Sequence, residues 1–125
     1  MKIGIIDADL IGRSKHRFPN LASMKISGYH KSKGDNVKLL LDYDNIKEYD
    51  LVYISKAFTD TYVDEKILEY PNVKYGGTGF FYDKAEPLPY EIEHSKPDYD
   101  LYSDWVNAML EKGLSRNEFK YYLDY

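Results

Sequence analysis

Four short runs of apolar and β-branched residues recur along the chain, each bounded by polar or turn-forming residues. They have the sequences KIGIID (residues 2–7), NVKLLL (36–41), DLVYIS (50–55) and NVKY (72–75). A continuous apolar run, without polar alternation, is typical of a strand that is buried on both faces of a parallel sheet. The pattern therefore predicts four strands.

The residues between these runs favour helices and turns. Helical spacing of apolar residues followed by a stop at Gly34 predicts a first helix of about 13 residues, with Pro19 in its first turn. Its apolar positions are Leu21, Met24, Ile26 and Tyr29. Residues 43–49 predict a turn or a single helical turn. After the third run, Asp60 or Thr61 is the predicted cap of a helix that ends before Pro71. Its inward residues are Val63, Ile67 and Leu68.

This alternation predicts a three-layer α/β fold, with a mostly parallel four-stranded sheet covered on both faces. Residues 76–100 are rich in glycine and proline and predict a long ordered loop without a fifth strand. Residues 101–112 predict a helix stopped at Gly113, and Ser115 is the predicted cap of a last segment, 116–122. We expect an α/β domain in residues 1–100 and a helical extension in residues 101–125.

Charge is distributed unevenly over the 125 residues, although the net charge is only −4. Residues 10–34 contain no acid and six cations, which are Arg13, Lys15, Arg17, Lys25, Lys31 and Lys33. Such a segment can attract nucleic acid, but a solvated face or a docking surface is the favoured interpretation. The 14 tyrosines, many in the acidic second half, favour packing or a partner interface, because acid repels phosphate.

Two absences narrow the classes of function. The chain has no cysteine, so it has no disulfide, thiolate nucleophile or iron-sulfur cluster of its own. No apolar run approaches the roughly 20 residues that cross a bilayer, and acid follows too early for a signal peptide. We therefore expect a cytoplasmic protein with no membrane partner.

Candidate ligand contacts lie where strands end, because open parallel sheets bind ligands outside the carboxyl ends of their strands. The rule selects residues 7–12, 55–59 and 76–79. The last segment, GGTG, leaves backbone amides available to a ligand, and we expect Gly76 and Gly77 to need conformations closed to other residues. A tight turn without a ligand is an equal alternative.

The titratable residues give weaker signals for chemistry. If the first strand persists, Asp7 and Asp9 project from the same side, about 7 Å apart, as a pair suited to Mg²⁺. Receiver domains use acids there, but the third strand ends in Ser55 and Lys56 instead of their phosphoacceptor aspartate. The three histidines, His16, His30 and His94, show no paired ligand spacing, and no Ser-His-Asp triad is indicated.

Four segments together resemble the amino-terminal cobalamin-binding-like domain of radical S-adenosylmethionine proteins: MKIGIIDADLIG, YDLVYISKAFTD, VKYGGTGF and KPDYDLY. The resemblance implies a flavodoxin-like fold. It implies an Asp-x-His-x-x-Gly pattern at Asp7, Asp9 and Gly12, with Asp9 in the place of the cobalt-binding histidine. It also implies a ligand-facing Ser55 and a Gly-Gly turn after the fourth strand, matched by Gly76 and Gly77. Thr78 and Gly79, which complete the GGTG segment, are further candidate cofactor contacts.

Three functions follow as alternatives. The favoured one is a non-catalytic accessory or substrate-guiding domain with a degenerate cobalamin site, whose tyrosine-rich end packs against a radical S-adenosylmethionine domain beyond this sequence. The iron-sulfur cluster and S-adenosylmethionine are then implied only for that other domain. The second is a ligand-binding module for cobalamin or a nucleotide. The third is a stand-alone interaction protein that docks through its basic helix or its tyrosines.

Overall fold

The computed structural model describes residues 1–12, 18–81, 87–114 and 116–123. At its centre are four strands, β1 (Lys2–Asp7), β2 (Asn36–Leu39), β3 (Leu51–Ser55) and β4 (Val73–Gly76). Their order is β2-β1-β3-β4, and every neighbouring pair is parallel. The predicted α/β class is confirmed, and the order matches the first four strands of the 2-1-3-4-5 flavodoxin-like sheet.

Helices and turns connect and cover these strands. The helices among the described residues are α1 (Ala8–Gly12), α2 (Leu21–Ser32), α3 (Glu65–Leu68), α4 (Thr78–Phe81), α5 (Tyr90–Glu93), α6 (Ser103–Glu111) and α7 (Lys120–Leu123). The 3₁₀ turns within these same residues are Ile46–Glu48 and Arg116–Phe119. Within the described ranges no helix has both the length and the apolar character that crossing a membrane requires.

Side-chain alternation along the strands divides the buried residues into two cores, one on each face of the sheet. The α2-side core contains Ile3, Ile5, Met24, Ile26, Ile92, Leu101, Tyr102, Val106, Phe119 and Tyr122. The opposite core contains Ile6, Ala8, Leu40, Ile46, Tyr49, Val52, Ile54 and Val63. The predicted covering of both faces is therefore present.

Helix α2 confirms the helix that the sequence predicts before Gly34. It has 12 residues, and the side chain of its N-cap, Asn20, accepts a hydrogen bond from the Ser23 N–H at 2.9 Å. Pro19 precedes the cap instead of lying in the first turn. Gly34 has φ +85°, a left-handed conformation in which glycine commonly ends helices.

Two local predictions were wrong. The segment after β1 is predicted as loop, but α1 begins at once, because the Asp7 carboxylate accepts the Leu10 N–H at 3.2 Å and satisfies a first-turn donor. Helix α3 begins later than predicted and is capped by Asp64, which accepts the Lys66 N–H at 3.0 Å. Thr61 does not cap it, because its hydroxyl donates to Asp9.

The second half of the chain is more regular than predicted. Within residues 76–100, predicted as loop, α4 and α5 form short helices, and α5 contributes Ile92 to the α2-side core. The helix predicted over 101–112 is present as α6. From the extension, Tyr102, Val106, Phe119 and Tyr122 pack into the same core, while Ser115 lies outside the described residues.

The basic segment contacts acids of the second half of the chain. Lys25 Nζ lies 2.6 Å from a Glu93 carboxylate oxygen, and Lys31 Nζ lies 2.6 Å from Asp98. These ion pairs join α2 to α5 and to the segment that follows α5. Arg13, Lys15, His16 and Arg17 lie outside the described residues.

Candidate functional site

The carboxyl ends of β1, β3 and β4 bring three of the predicted site residues into one row. Asp7 is the register partner of Ser55, and Ser55 is the partner of Gly76. The rule for parallel sheets therefore selects neighbouring positions of this fold. Their side chains differ in role, however.

Asp7 is buried and bound within the protein. The Tyr102 hydroxyl donates to its carboxylate at 2.6 Å and accepts the Asn20 N–H at 3.0 Å. Burial and the Asp7 charge raise the pKa of Tyr102 well above its ordinary value, so this phenol keeps its proton. Asp7 thus joins the sheet to the residue before α6 and to the N-terminal end of α2.

Asp9, which the resemblance places where a cobalt-binding histidine would lie, holds a loop instead. It is 1% exposed, and its carboxylate accepts the N–H groups of Ala57 at 2.7 Å and Phe58 at 3.3 Å. The Thr61 hydroxyl donates to it at 2.7 Å. Gly12, at the end of α1, lies against this loop, because a Cβ there would come 2.9 Å from Thr61 Cγ2.

The two aspartates do not form the pair suited to Mg²⁺. Strand β1 ends at Asp7, so strand alternation no longer places Asp9 on the same side, and the carboxylates bind different partners. Among the described residues, no group of three acids or histidines could hold a metal ion. Burial, followed by the charges of Asp7 and Asp9, raises the pKa of the nearby Tyr43 to about 12.

The glycine turn after β4 is shaped by close packing on Lys56. Gly77 has φ +106°, and a Cβ there would collide with the Lys56 carbonyl oxygen. A Cβ on Gly79 would come 2.6 Å from Lys56 Cγ, and the Gly79 N–H donates to the Lys56 carbonyl at 2.8 Å. Gly76 has no positive φ, and a Cβ there would meet nothing within 4 Å. The prediction of a restricted conformation is therefore right for Gly77 and wrong for Gly76.

Of the remaining turn residues, Thr78 begins α4, and its side chain lies outside the described part of the structure. Lys56 itself is 8% exposed. Its ammonium donates to the Thr61 carbonyl at 2.9 Å and lies 4.5 Å from the centre of the Phe80 ring. The glycine turn, residues 76–79, therefore packs against Lys56 more than it offers backbone amides to a ligand.

A groove of about 830 Å³ lies between α2, strands β3 and β4, and residues 87–92. Ser55, Gly76 and Gly77 line it at the carboxyl ends of the strands, and Leu51 lines it at the opposite end of β3. Its walls are mainly apolar and aromatic and include Ile26, Tyr29, Leu51, Tyr75, Leu88 and Ile92. Three of the eight predicted site residues thus face one continuous space.

The polar groups of the groove include His30 and Tyr53, which sequence reasoning missed. His30 is 4% exposed, with Nδ1 2.8 Å from an Asp35 carboxylate oxygen and Nε2 3.0 Å from the Tyr53 hydroxyl. Burial, then Tyr29 and Asp35, raises the pKa of Tyr53. The available signal was spacing: His30 follows Ile26 by four residues on the inward face of α2.

Ser55 is oriented by the N-cap of α2. The Asn20 side-chain amide donates to the Ser55 hydroxyl oxygen at 2.9 Å, while its own carbonyl oxygen accepts the Ser23 N–H. Ser55 thus lies at the groove with a fixed partner on one side.

The fold and the groove define a class: a parallel α/β domain with a largely apolar cleft that runs along β3 and reaches the carboxyl ends of β3 and β4. Comparisons with protein-family models, with curated proteins and with solved structures found no match to this chain.

Proposed function

We propose that this chain is a ligand-binding domain that holds a flat, largely apolar small molecule in the groove over β3 and β4. The single observation that carries the proposal is the groove itself, because its 830 Å³ fall within the roughly 300–1,000 Å³ of small-molecule sites. Its composition supports the same conclusion. Apolar and aromatic walls with a few placed polar groups are usual in such sites.

We propose binding without turnover by this chain alone. The carboxylates at the strand ends, Asp7 and Asp9, are engaged with Tyr102 and with the loop before α3, and they do not line the groove. The proposed place of action is the cytoplasm.

Cobalamin remains one ligand to test, although Asp9 does not fit protein ligation of cobalt. A carboxylate that is 1% exposed and accepts three hydrogen bonds from its own chain has no oxygen directed at a corrin. We therefore expect the affinity for hydroxocobalamin, and likewise that for cobinamide, to be the same in Asp9→Asn as in the unchanged protein. Absorbance titration measures this, and binding that depends on Asp9 contradicts our interpretation.

Gly76 offers a sharp test of the groove. Because a Cβ at Gly76 meets open space, Gly76→Phe would fill the end of the groove, whereas Gly76→Ala is a matched control that leaves it open. We would screen adenosine, 2-naphthol and cobinamide by thermal shift, since a ligand at a hundred times its Kd stabilises by about 2.7 kcal/mol.

The expected result is that at least one of these compounds raises the Tm of the unchanged protein and of Gly76→Ala, but not of Gly76→Phe. If no compound raises the Tm, or if Gly76→Phe responds like Gly76→Ala, the proposal is wrong.

An accessory role beside a radical S-adenosylmethionine domain is a second candidate. Phe119 and Tyr122 are buried in this chain's own core, so a partner would meet exposed aromatic residues instead. Phe18 and Tyr121 are 55% and 47% exposed, and their ring centres lie 4.9 Å apart. The coding sequence after Tyr125 tests this candidate, because it predicts a downstream Cys-x-x-x-Cys-x-x-Cys motif.

A further inference from the structure

We propose that the groove selects flat ligands carrying a hydroxyl or N–H donor, because Asp35 and His30 hold the Tyr53 hydroxyl as a hydrogen-bond acceptor. This inference rests on the proposed function and names the ligand chemistry of the same groove. It follows from the order of donors and acceptors between Asp35 and the groove.

The order begins at Asp35. Its carboxylate lies 2.8 Å from His30 Nδ1 and 3.0 Å from the amino group of Met1. These hydrogen bonds lower the pKa of Asp35, so the group is ionised near neutral pH and can only accept. His30 Nδ1 must therefore carry a proton, and in the neutral form of the ring Nε2 then carries a lone pair.

That lone pair fixes the proton of Tyr53. The Tyr53 hydroxyl lies 3.0 Å from Nε2, and it can form this bond only by donating. Burial raises the pKa of Tyr53, so the phenol retains the proton that it donates. Its oxygen lone pairs then remain for the groove, and a ligand at this point has to supply the hydrogen.

Other residues with charged or titratable groups line the same groove: Met1, with the terminal amino group, and Tyr29, Lys33, Lys74, Tyr75 and Glu91. Lys33 Nζ lies 5.0 Å from the centre of the Tyr29 ring. In the described residues the side chains of Tyr29, Lys33, Lys74 and Glu91 form no hydrogen bond with His30 or Tyr53. The proton order therefore depends on Asp35.

Ser55 has the opposite polarity. Asn20 must direct its carbonyl to the Ser23 N–H, so its amide N–H points to Ser55, whose oxygen accepts. Among the described residues the Ser55 hydroxyl has no other hydrogen-bond partner, and its hydrogen is available at the groove. The complementary ligand therefore presents a donor to Tyr53 and a carbonyl or ring nitrogen to Ser55.

The test compares 2-naphthol with 2-methoxynaphthalene, which has the same ring system but no donor. We expect 2-naphthol to bind about fivefold more tightly near neutral pH, which is the usual effect of one hydrogen bond. Tyr53→Phe should abolish this preference. Tyr62→Phe, the same change on a side chain that is 80% exposed and outside the groove, should retain it.

Asp35→Asn tests the positioning role of Asp35, because an amide no longer fixes the proton on His30 Nδ1. A purely structural role would weaken both compounds equally, whereas loss of proton order brings their affinity ratio to about one. Nitrogen NMR of the imidazole gives an independent measurement, and we expect the Nδ1–H tautomer in the unchanged protein.

Each outcome decides between the two proposals. Equal binding of both compounds, or a proton on Nε2 in either the neutral or the charged ring, overturns this inference and leaves the proposed groove intact. If neither naphthalene compound binds, this inference fails. If adenosine and cobinamide also leave the Tm unchanged, or if Gly76→Phe responds like Gly76→Ala, the proposed function fails as well.

Discussion

Removing the Tyr102 hydroxyl is the perturbation with the clearest calculated cost. In Tyr102→Phe the buried Asp7 carboxylate loses a 2.6 Å donor and the Asn20 N–H loses its acceptor at 3.0 Å. A hydrogen bond to a charged group contributes about 1.5–3 kcal/mol, and an unsatisfied buried donor costs a further 1 kcal/mol or more. Because the ring itself is retained, no cavity forms beyond one oxygen atom. We expect a loss of about 3 kcal/mol in the free energy of unfolding.

Urea unfolding followed by circular dichroism measures this loss, with a lower midpoint and an unchanged slope. Tyr62→Phe is the matched control, because that side chain is 80% exposed and its variant should unfold within about 0.5 kcal/mol of the unchanged protein. A loss for Tyr102→Phe no larger than that of the control would refute the argument that Tyr102 compensates the buried Asp7 charge.

Three further predictions follow from the site and its surroundings. Gly77→Ala should lower the free energy of unfolding by about 2 kcal/mol or more, because Gly77 has a positive φ and the added Cβ would collide with the Lys56 carbonyl oxygen. Gly76→Ala should be nearly neutral, and thermal melts that do not separate the two variants contradict this prediction. Burial raises the pKa of Asp98, but hydrogen bonds from Lys31 and Ser27 outweigh it and lower the pKa from 3.8. The stability that the ionised Asp98 contributes is therefore present above pH 3.8 and is lost as the pH falls through the folded-state pKa. The difference in unfolding free energy between Asp98→Asn and the unchanged protein should therefore be largest near neutral pH and disappear in acid; a constant difference contradicts it. Asp9→Ala should speed amide hydrogen exchange in the loop of residues 57–61, which the Asp9 carboxylate holds. Exchange rates equal to those of the unchanged protein would mean that the three hydrogen bonds do not hold this loop.

The sheet could be predicted from the sequence because each strand is a local apolar run whose burial requires no particular distant partner. Residues 2–7 were predicted and observed with the same bounds, and the other strands differ by one or two residues at their ends. Helix α2 was visible in its apolar spacing and its terminal Gly34, which are local signals, but its cap Asn20 was not identified and Pro19 was placed in the first turn instead. The short α1 was missed because Asp7 caps it, and an aspartate after a strand is equally typical of a loop.

The site was only partly predictable, because its polar contacts join distant parts of the chain. Strand ends gave Ser55, Gly76 and Gly77, since their place in the groove follows from sheet topology. His30 and Tyr53 are 23 residues apart and meet only when α2 packs on β3. Spacing along the sequence therefore could not indicate that these two side chains meet, although the fold joins them by a hydrogen bond.

The two cores have unequal spans along the chain, and this has a consequence for the order of folding. The buried residues of the opposite core extend only from Ile6 to Val63, whereas those of the α2-side core extend from Ile3 to Tyr122. During synthesis, one face of the sheet can consolidate while the last third of the chain is still being made. The other face, which includes the floor of the groove, must wait for Tyr102 to reach Asp7 across 95 residues. Until then the part of this face that the last third of the chain covers stays exposed, so we expect aggregation and chaperone binding to concentrate on the side that later forms the groove.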